Sequence, residues 1–402
     1  MATKVRYSMR VNWREINAAN NTFAVLSAAC EGEGFELRPV HAPEKDITCY
    51  SLNSLNYYLF REEITTADSI TIVGGPHASA CYRAVVCDAD YVVVGEGEKT
   101  LPSLLYHIES GKGEIPPGVA TRKMYRPAPY SVRLDAYPPF SSIKGYIEIS
   151  RGCPHHCGYC QTPRIFGHLM RHRSIDTIRQ WAQKYRDIRL VSPNAFAYGS
   201  DGRVPRWDKV EHLLAALKGN IFFGTFPSEV RPEFITDRGL ELVSAYCSNT
   251  RLAFGAQSGS DQVLISLGRG HTVRDVEIAI DRCREFGITP IVDFILGLPM
   301  ETDEDQGETL KMIQGVARKG QVRVHRFLPL PGTPLAQTRP RPLLPHAEKM
   351  LGRLALKGTL TGSWSGGDTI LYPPARCDIH DERPSHRRPP WPDGQIGLSF
   401  ES

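Results

Sequence analysis

From residue 145 to about 335, short apolar runs alternate with amphipathic stretches, and this beat limits the fold more than any other feature. The runs "GYIEIS", "IRLVSP", "NIFFGTFP", "RLAFGAQS", "ITPIVDFILG" and "QVRVHRFLPL" read as strands. Between them lie "SIDTIRQWAQKY", "WDKVEHLLAALK", "RGLELVSAYC", "TVRDVEIAIDRCREFG" and "DQGETLKMIQGVARKG", which carry helical periodicity. Such alternation predicts a partial or full β/α barrel over 143–335, with reactive groups on the loops that follow the strands.

The first hundred residues alternate in the same way. "KVRYSMRV", "FELRPVHA", "SITIVGG" and "ADYVVVGEG" read as strands, and "NTFAVLSAACEGEG" and "TCYSLNSLNYYLFREEI" as helices. An open, Rossmann-like parallel sheet over 1–110 is expected. Two glycine-rich segments, containing Gly74, Gly75, Pro76 and His77 and then Gly95, Glu96, Gly97 and Glu98, follow apolar runs, where such sheets bind ligands; tight turns alone would also use these glycines. The proline-rich stretch 111–142 reads as a linker, and 336–402 as a C-terminal extension with one helix, a Gly/Ser-rich turn and a basic, proline-rich tail. That tail suits either disorder or an arm over the barrel mouth.

With 41% hydrophobic and 23% charged residues among 402, the composition is that of a soluble globular protein. It offers neither a membrane span nor an apolar leader, so a cytoplasmic location is expected. A net charge of +4 does not single out nucleic acid as a partner. Ten cysteines, seven of them scattered, do not form a secreted disulfide scaffold, and Cys377 in the tail is the scattered one to watch.

Only Cys153, Cys157 and Cys160 cluster, in "GCPHHCGYCQTPR". Their C-x3-C-x2-C spacing lets three thiolates converge on one metal centre. A closed zinc site would need a fourth ligand, for which His155, His156 and His168 are the nearest candidates. The loop directly follows the first strand of the barrel repeat, which is where a barrel places chemistry, and this favours a 4Fe-4S cluster with one iron left open.

Here the chain resembles the radical S-adenosylmethionine superfamily, whose hallmark is this loop with an aromatic, here Tyr159, before the last cysteine. The resemblance implies that S-adenosylmethionine chelates the open iron and is cleaved to a 5′-deoxyadenosyl radical. It places Glu229 of "FPSEVRPE" near the methionine end, Gln257 and Ser258 of "FGAQSGS" on the same ligand, and Gly297 of "VDFILGLPMETDED" by the adenine. Glu229 could instead cap the next helix, and Glu301 is expected to cap the one after Gly297. The family's glycine-glycine-glutamate triplet is missing; "SPNAFAYGS" leaves Ser192 and Asn194 as weak substitutes.

Joined to such a barrel, the upstream sheet resembles the cobalamin-binding domain of B12-dependent radical enzymes. The resemblance implies glycine loops around the cobalamin tail and corrin edge. An Asp-x-His-x-x-Gly cobalt-ligating segment is not in the sequence, so His77 is read as a tail contact, and Asn12 or Trp13 as a possible cover for the lower face. Methyl transfer from methylcobalamin to an unactivated carbon follows as the implied activity, with a ferredoxin or flavodoxin supplying electrons. The general build is similar to archaeal enzymes that modify methyl-coenzyme M reductase after translation, particularly the glutamine C-methyltransferase, which implies a protein or peptide substrate. Cyclisation or rearrangement, cofactor sensing without turnover, and transfer-RNA modification are the alternatives. The last rests on "SEVRPE" and "QSGS", and methylthiotransferases would add a cluster domain and an RNA-binding barrel, neither evident in the pattern.

Overall fold

Strands that are apolar on both faces must be covered on both, and the N-terminal sheet shows the outcome. In the computed structural model, which describes residues 9–364 and 380–381, five strands run parallel. They are β1 (Val11–Arg14), β2 (Leu37–Val40), β3 (Ile47–Ser51), β4 (Ile70–Gly74) and β5 (Tyr91–Val93), in the order β2-β1-β3-β4-β5. Helices α1 (Asn20–Gly32), α2 (Tyr57–Thr66), α3 (Pro76–Ala80), α4 (Tyr82–Val85) and α5 (Gly97–Ser110) connect them. Chain order reverses between β1 and β3, the switch point at which doubly wound sheets open a crevice beyond the strand ends.

Three expectations for this region change. The described part of the first strand covers "VNWR" rather than "KVRYSMRV", whose first five residues lie outside the described residues. "ITCYS" is a strand, not the start of a helix: all five residues are buried, and a short, fully buried run has no periodicity to tell strand from helix. The proline-rich stretch does more than link, since β6 (Val119–Ala120) extends the sheet antiparallel to β5 and β7 (Met124–Tyr125) pairs antiparallel with β6.

The barrel begins with β8 (Ile147–Glu148) and β9 (Ser150–Arg151), which divide "GYIEIS" between two partners. It continues through α6 (Thr162–Phe166), β10 (Arg171–His172), α7 (Ile175–Ala182), β11 (Asp187–Val191), α8 (Trp207–Ala216), β12 (Asn220–Phe222) and α9 (Asp237–Tyr246). Then come β13 (Arg251–Gln257), α10 (Asp261–Ser266), α11 (Val273–Glu285), β14 (Thr289–Leu296), α12 (Asp303–Lys319), β15 (Gln321–Arg326), α13 (Ala347–Leu356) and β16 (Leu360–Ser363). β16 lies in the stretch expected as a Gly/Ser-rich turn, where Leu360 and Thr361 favour a pleated edge. A further short strand, β17 (His380–Asp381), returns to pair parallel with β7.

Parallel ladders join β12-β11-β8 and β13-β14-β15-β16, and one bridge, Val230 to Phe254, links the two groups. Val292, Phe294, Val322 and Val324 face the helices in a core with Ile280 and Ile313, each contributing about 1.5–3 kcal/mol by burial. Period two therefore turns Asp293, Arg323 and His325 to the opposite, inner face. Thr272 and Thr302 begin α11 and α12 with capping boxes. No helix among the described residues is long and apolar enough to cross a membrane.

Candidate active site

The three cysteines occupy the loop between β9 and α6, and the strand pair β9–β10 closes the base of that loop. Gly152 has φ 89°, and a Cβ there would run into the Leu169 carbonyl of the returning chain, so only glycine lets the two sides meet. Backbone bonds then set the curve: Cys153 N–H donates to Gly167 O at 3.1 Å, Gly158 N–H to Leu267 O at 2.8 Å, and Cys160 N–H to Cys157 O at 3.1 Å. Burial pushes the Cys153 and Cys160 thiols up, and Cys153 also feels the charges of Cys160 and Cys157. A metal would displace these protons.

Arg269 stands over the loop. Its Nη1 donates to Tyr159 Oη at 3.0 Å and lies 3.7 Å from Cys157 Sγ, while Nη2 donates to Gly255 O at 2.9 Å. A buried cation beside soft thiolates favours their ionised form. Among the described residues no group of three or more His, Cys, Asp and Glu side chains lies at the spacing of a single metal ion. Three thiolates on one loop suit the donor set of a multinuclear iron–sulfur cluster. The histidines are engaged elsewhere: His155 with Gly202 O at 3.2 Å, and His156 with the His168 ring at 4.3 Å.

The other barrel residues fall into two groups. Facing inward, Arg323 pairs with Glu229 and with Asp293, to which Nε and Nη2 each lie 2.5 Å away. Burial pushes Asp293 up to about 7 against the pull of Arg323, with Glu229 adding to the rise. Glu229 is thus an ion-pair partner and not a helix cap; Thr236 caps the next helix. Gln257 ends β13 at a bulge with φ 70°, a strained conformation for a residue with a side chain.

Ser258 bonds instead to Thr309 of α12 at 3.1 Å. Ser192 Oγ is held within its own turn by Asn194 O, whereas neither side-chain atom of the buried Asn194 has a partner. Gly297 has φ 79°, yet its close neighbours are Arg326 and the Arg341 carbonyl. Glu301 does not cap α12, which Thr302 does; it accepts from Gly297 and Leu298 N–H, and burial raises it to about 7. Near the cysteine loop, Arg231 bonds Glu233 at 2.5 Å and the Arg269 carbonyl. Glu233 Oε2 faces His271 Nδ1 at 3.8 Å without a hydrogen bond for either, and burial with Arg269 and Arg231 holds His271 neutral, down to about 2.

At the ends of the N-terminal strands, glycine does the shaping. Gly75, between Gly74 and the helix-starting Pro76, has φ 96°, and a Cβ would come within 2.6 Å of Leu52 O. Gly95 has φ 85° with nothing within 4 Å of a Cβ position, so it faces open space. Gly97 lets α5 pack on Leu26 of α1. His77 is buried, stacked on Tyr57 at 4.3 Å and bonded to Ser54 at 3.1 Å.

Asn12 and Trp13 do not suit a cover for a ligand. The Asn12 amide donates to Lys45 and Ile47 carbonyls at the start of β3, at 3.0 and 2.9 Å, and Trp13 stacks on Phe23 in the core. Glu96 and Glu98 are ion-paired: both bind Arg151 of the barrel, at 2.7 and 2.6 Å.

Residues 147–313 match the family model described as the Radical SAM superfamily. The barrel is similar to a radical SAM domain over these residues. Its sequence relatives include tRNA-2-methylthio-N(6)-dimethylallyladenosine synthase of Pelobacter propionicus, 32% identical over 220 residues, 51% of this chain and 48% of that protein. The chain spans about half to two thirds of the length of the first curated relatives it matches. Among solved structures, the radical S-adenosylmethionine methyltransferase TsrM from Kitasatospora setae, with cobalamin and a 4Fe-4S cluster bound, superposes with TM-score 0.63 and 18% identity. The match covers 83% of this chain and 80% of that one. The cobalamin-dependent S-adenosylmethionine radical enzyme OxsB gives TM-score 0.61 and 16% identity over 87% of this chain and 55% of its own. These likenesses extend the shared fold upstream of the matched residues 147–313.

Sequence reasoning missed Arg269, Arg231, Asp293, Arg323 and Arg151. A signal existed for three of them: charged residues inside the strand runs "VDF" and "VRVHR", and "GRGHT" after α10. A charge at an inner barrel position has no solvent to explain it. Cys377 and the basic tail after 381 lie outside the described residues.

Proposed function

We propose that the protein is a cobalamin-dependent radical SAM methyltransferase acting on an unactivated carbon. One observation carries this: the crevice end of a five-stranded parallel sheet is tied by Glu96 and Glu98 to Arg151, two residues before the first cysteine. Two cofactor positions then border one space. When bound, the cluster with S-adenosylmethionine would supply radical chemistry and cobalamin the methyl group.

In this reading Cys153, Cys157 and Cys160 hold three irons. Tyr159, packed with Val263, Leu267, Leu298 and Phe327, keeps water from one side of the loop. The unpartnered amide of Asn194 and the bulged Gln257 are polar groups available to S-adenosylmethionine, and the open side of the Gly95 turn gives a corrin or its tail room to approach. The substrate proposed first is a protein side chain, with a glutamine of methyl-coenzyme M reductase as the test case on the resemblance given above, and a ferredoxin or flavodoxin as electron donor.

A second reading, transfer-RNA modification, is favoured by the 32% identity to the Pelobacter enzyme. Anaerobic reconstitution separates the two. Methyl transfer from labelled S-adenosylmethionine to a peptide, dependent on added cobalamin, is expected. Cobalamin-independent thiomethylation of RNA would replace the proposal, and a Cys157→Ala variant should lose iron and 5′-deoxyadenosine formation together.

A further inference from the structure

We infer that Glu96 is a positioning residue: from the N-terminal sheet it fixes the base of the cysteine loop by clamping both residues at which that loop leaves and rejoins the barrel. The inference rests on the reading that the loop holds an iron–sulfur cluster. Arg151 and Arg171 are directly paired across β9 and β10, with residues 152–170 between them. Their guanidiniums converge on the same carboxylate oxygen of Glu96, at 2.7 and 2.8 Å. The other oxygen accepts the Val132 N–H at 2.9 Å, so the carboxylate is held on every side.

The surrounding charges hold the two arginines in place. Arg151 also meets Glu98 at 2.6 Å and Glu148 at 2.5 Å, and Arg171 donates to the Val132 and Phe166 carbonyls at 2.6 and 2.9 Å. All five charged side chains are between 5% and 14% exposed. Removing that many charges from water is expensive, and apolar side chains of the same size would hold two domains together at least as well. What charges add is fixed geometry: a fork-shaped guanidinium accepts its carboxylates in only a few orientations.

The place of Glu96 gives that geometry a use. It lies between Gly95, which faces open space at the end of β5, and Gly97, which seats α5 against α1. A ligand settling at the end of β5 therefore meets a turn whose next side chain grips the cluster loop. Outer partners of metal ligands commonly alter affinity or activity by 10–100-fold when removed.

The test compares the full chain with Glu96→Gln, which keeps the shape and removes the charge. Glu114→Gln, which breaks the exposed Arg126–Glu114 pair of the same region, is the control. After anaerobic reconstitution, iron per chain, the paramagnetic spectrum of the reduced cluster with and without S-adenosylmethionine, and S-adenosylmethionine affinity are measured. Glu96→Gln should keep its iron, change the spectrum and weaken S-adenosylmethionine binding about 10-fold, while the control matches the parent.

Arg171→Gln removes only one arm of the clamp and should shift the same signals in the same direction by less, which keeps the test open if Glu96→Gln fails to fold. Parental spectra and affinity in either variant, whatever its melting temperature, would overturn the inference. A parent chain that takes up no iron would overturn the cluster reading along with it.

Discussion

The ends of the two sheets, tied to each other through Glu96, Glu98 and Arg151, are built on different plans. Beyond the N-terminal strands the site side chains have protein partners, His77 with Ser54 and Glu96 and Glu98 with Arg151, and the buried atoms left unbonded in that domain, Asn12 Oδ1 and Ser27 Oγ among them, belong to the strands and helices themselves. Glycine backbone provides what room there is. At the barrel the unbonded atoms lie in the loops after the strands, where Asn194, Glu233, His271 and Glu301 each keep a buried polar atom without a partner. Such atoms are costly unless something else bonds them. One end is thus shaped for a large group that approaches backbone, and the other for a small group rich in donors and acceptors.

The contrast can be broken first at the barrel's inner charges. Arg323→Leu leaves Asp293 and Glu229 facing each other without their shared cation and should cost about 3 kcal/mol in denaturant unfolding, with Asp293→Asn restoring part of it. A neutral result would mean that the inner face is wet enough to screen them. At the other end, Gly75→Ala should also cost about 3 kcal/mol, because the left-handed backbone and the Leu52 carbonyl both oppose a Cβ.

The next test uses pH. Burial lowers His77 to about 4 from 6.5, so below pH 6.5 the unfolded chain binds the proton more readily than the folded one. Stability present at neutral pH is therefore lost as pH falls from about 6.5 toward 4, by about 2 kcal/mol at pH 5. His77→Phe should remove that share of the acid-side slope, read from unfolding curves at pH 7 and pH 5. The smallest effect is reserved for Gly95→Ala, at about 1 kcal/mol, since only the φ of 85° opposes it and no atom lies nearby. A loss of cobalamin binding larger than that stability change would mark the open side of Gly95 as a contact surface.

The barrel beat and the cysteine loop could be read from sequence because period, length and spacing are local properties. β3 was misread as a helix because a buried five-residue run carries no period, and β6 and β7 because a strand of two residues leaves almost no pattern. Site residues divide along the same line. Gly75 and Gly95 are recognisable as glycines after apolar runs. The partners of Glu96 and Glu229 are not, since Arg151 and Arg323 lie 55 and 94 positions away, and only the closed fold brings them together.

Between β12 and β13 the barrel wall is joined by the bridge from Val230 to Phe254 and a few backbone hydrogen bonds rather than by a ladder. From β13 to β16 the wall is held by continuous ladders, with β14 and β15 paired along their length. A wall joined by a ladder on one side and by single bonds on the other gives first at the single bonds, as a book opens at its spine. That spine falls beside Glu229, whose pair with Arg323 reaches from it to the laddered strands.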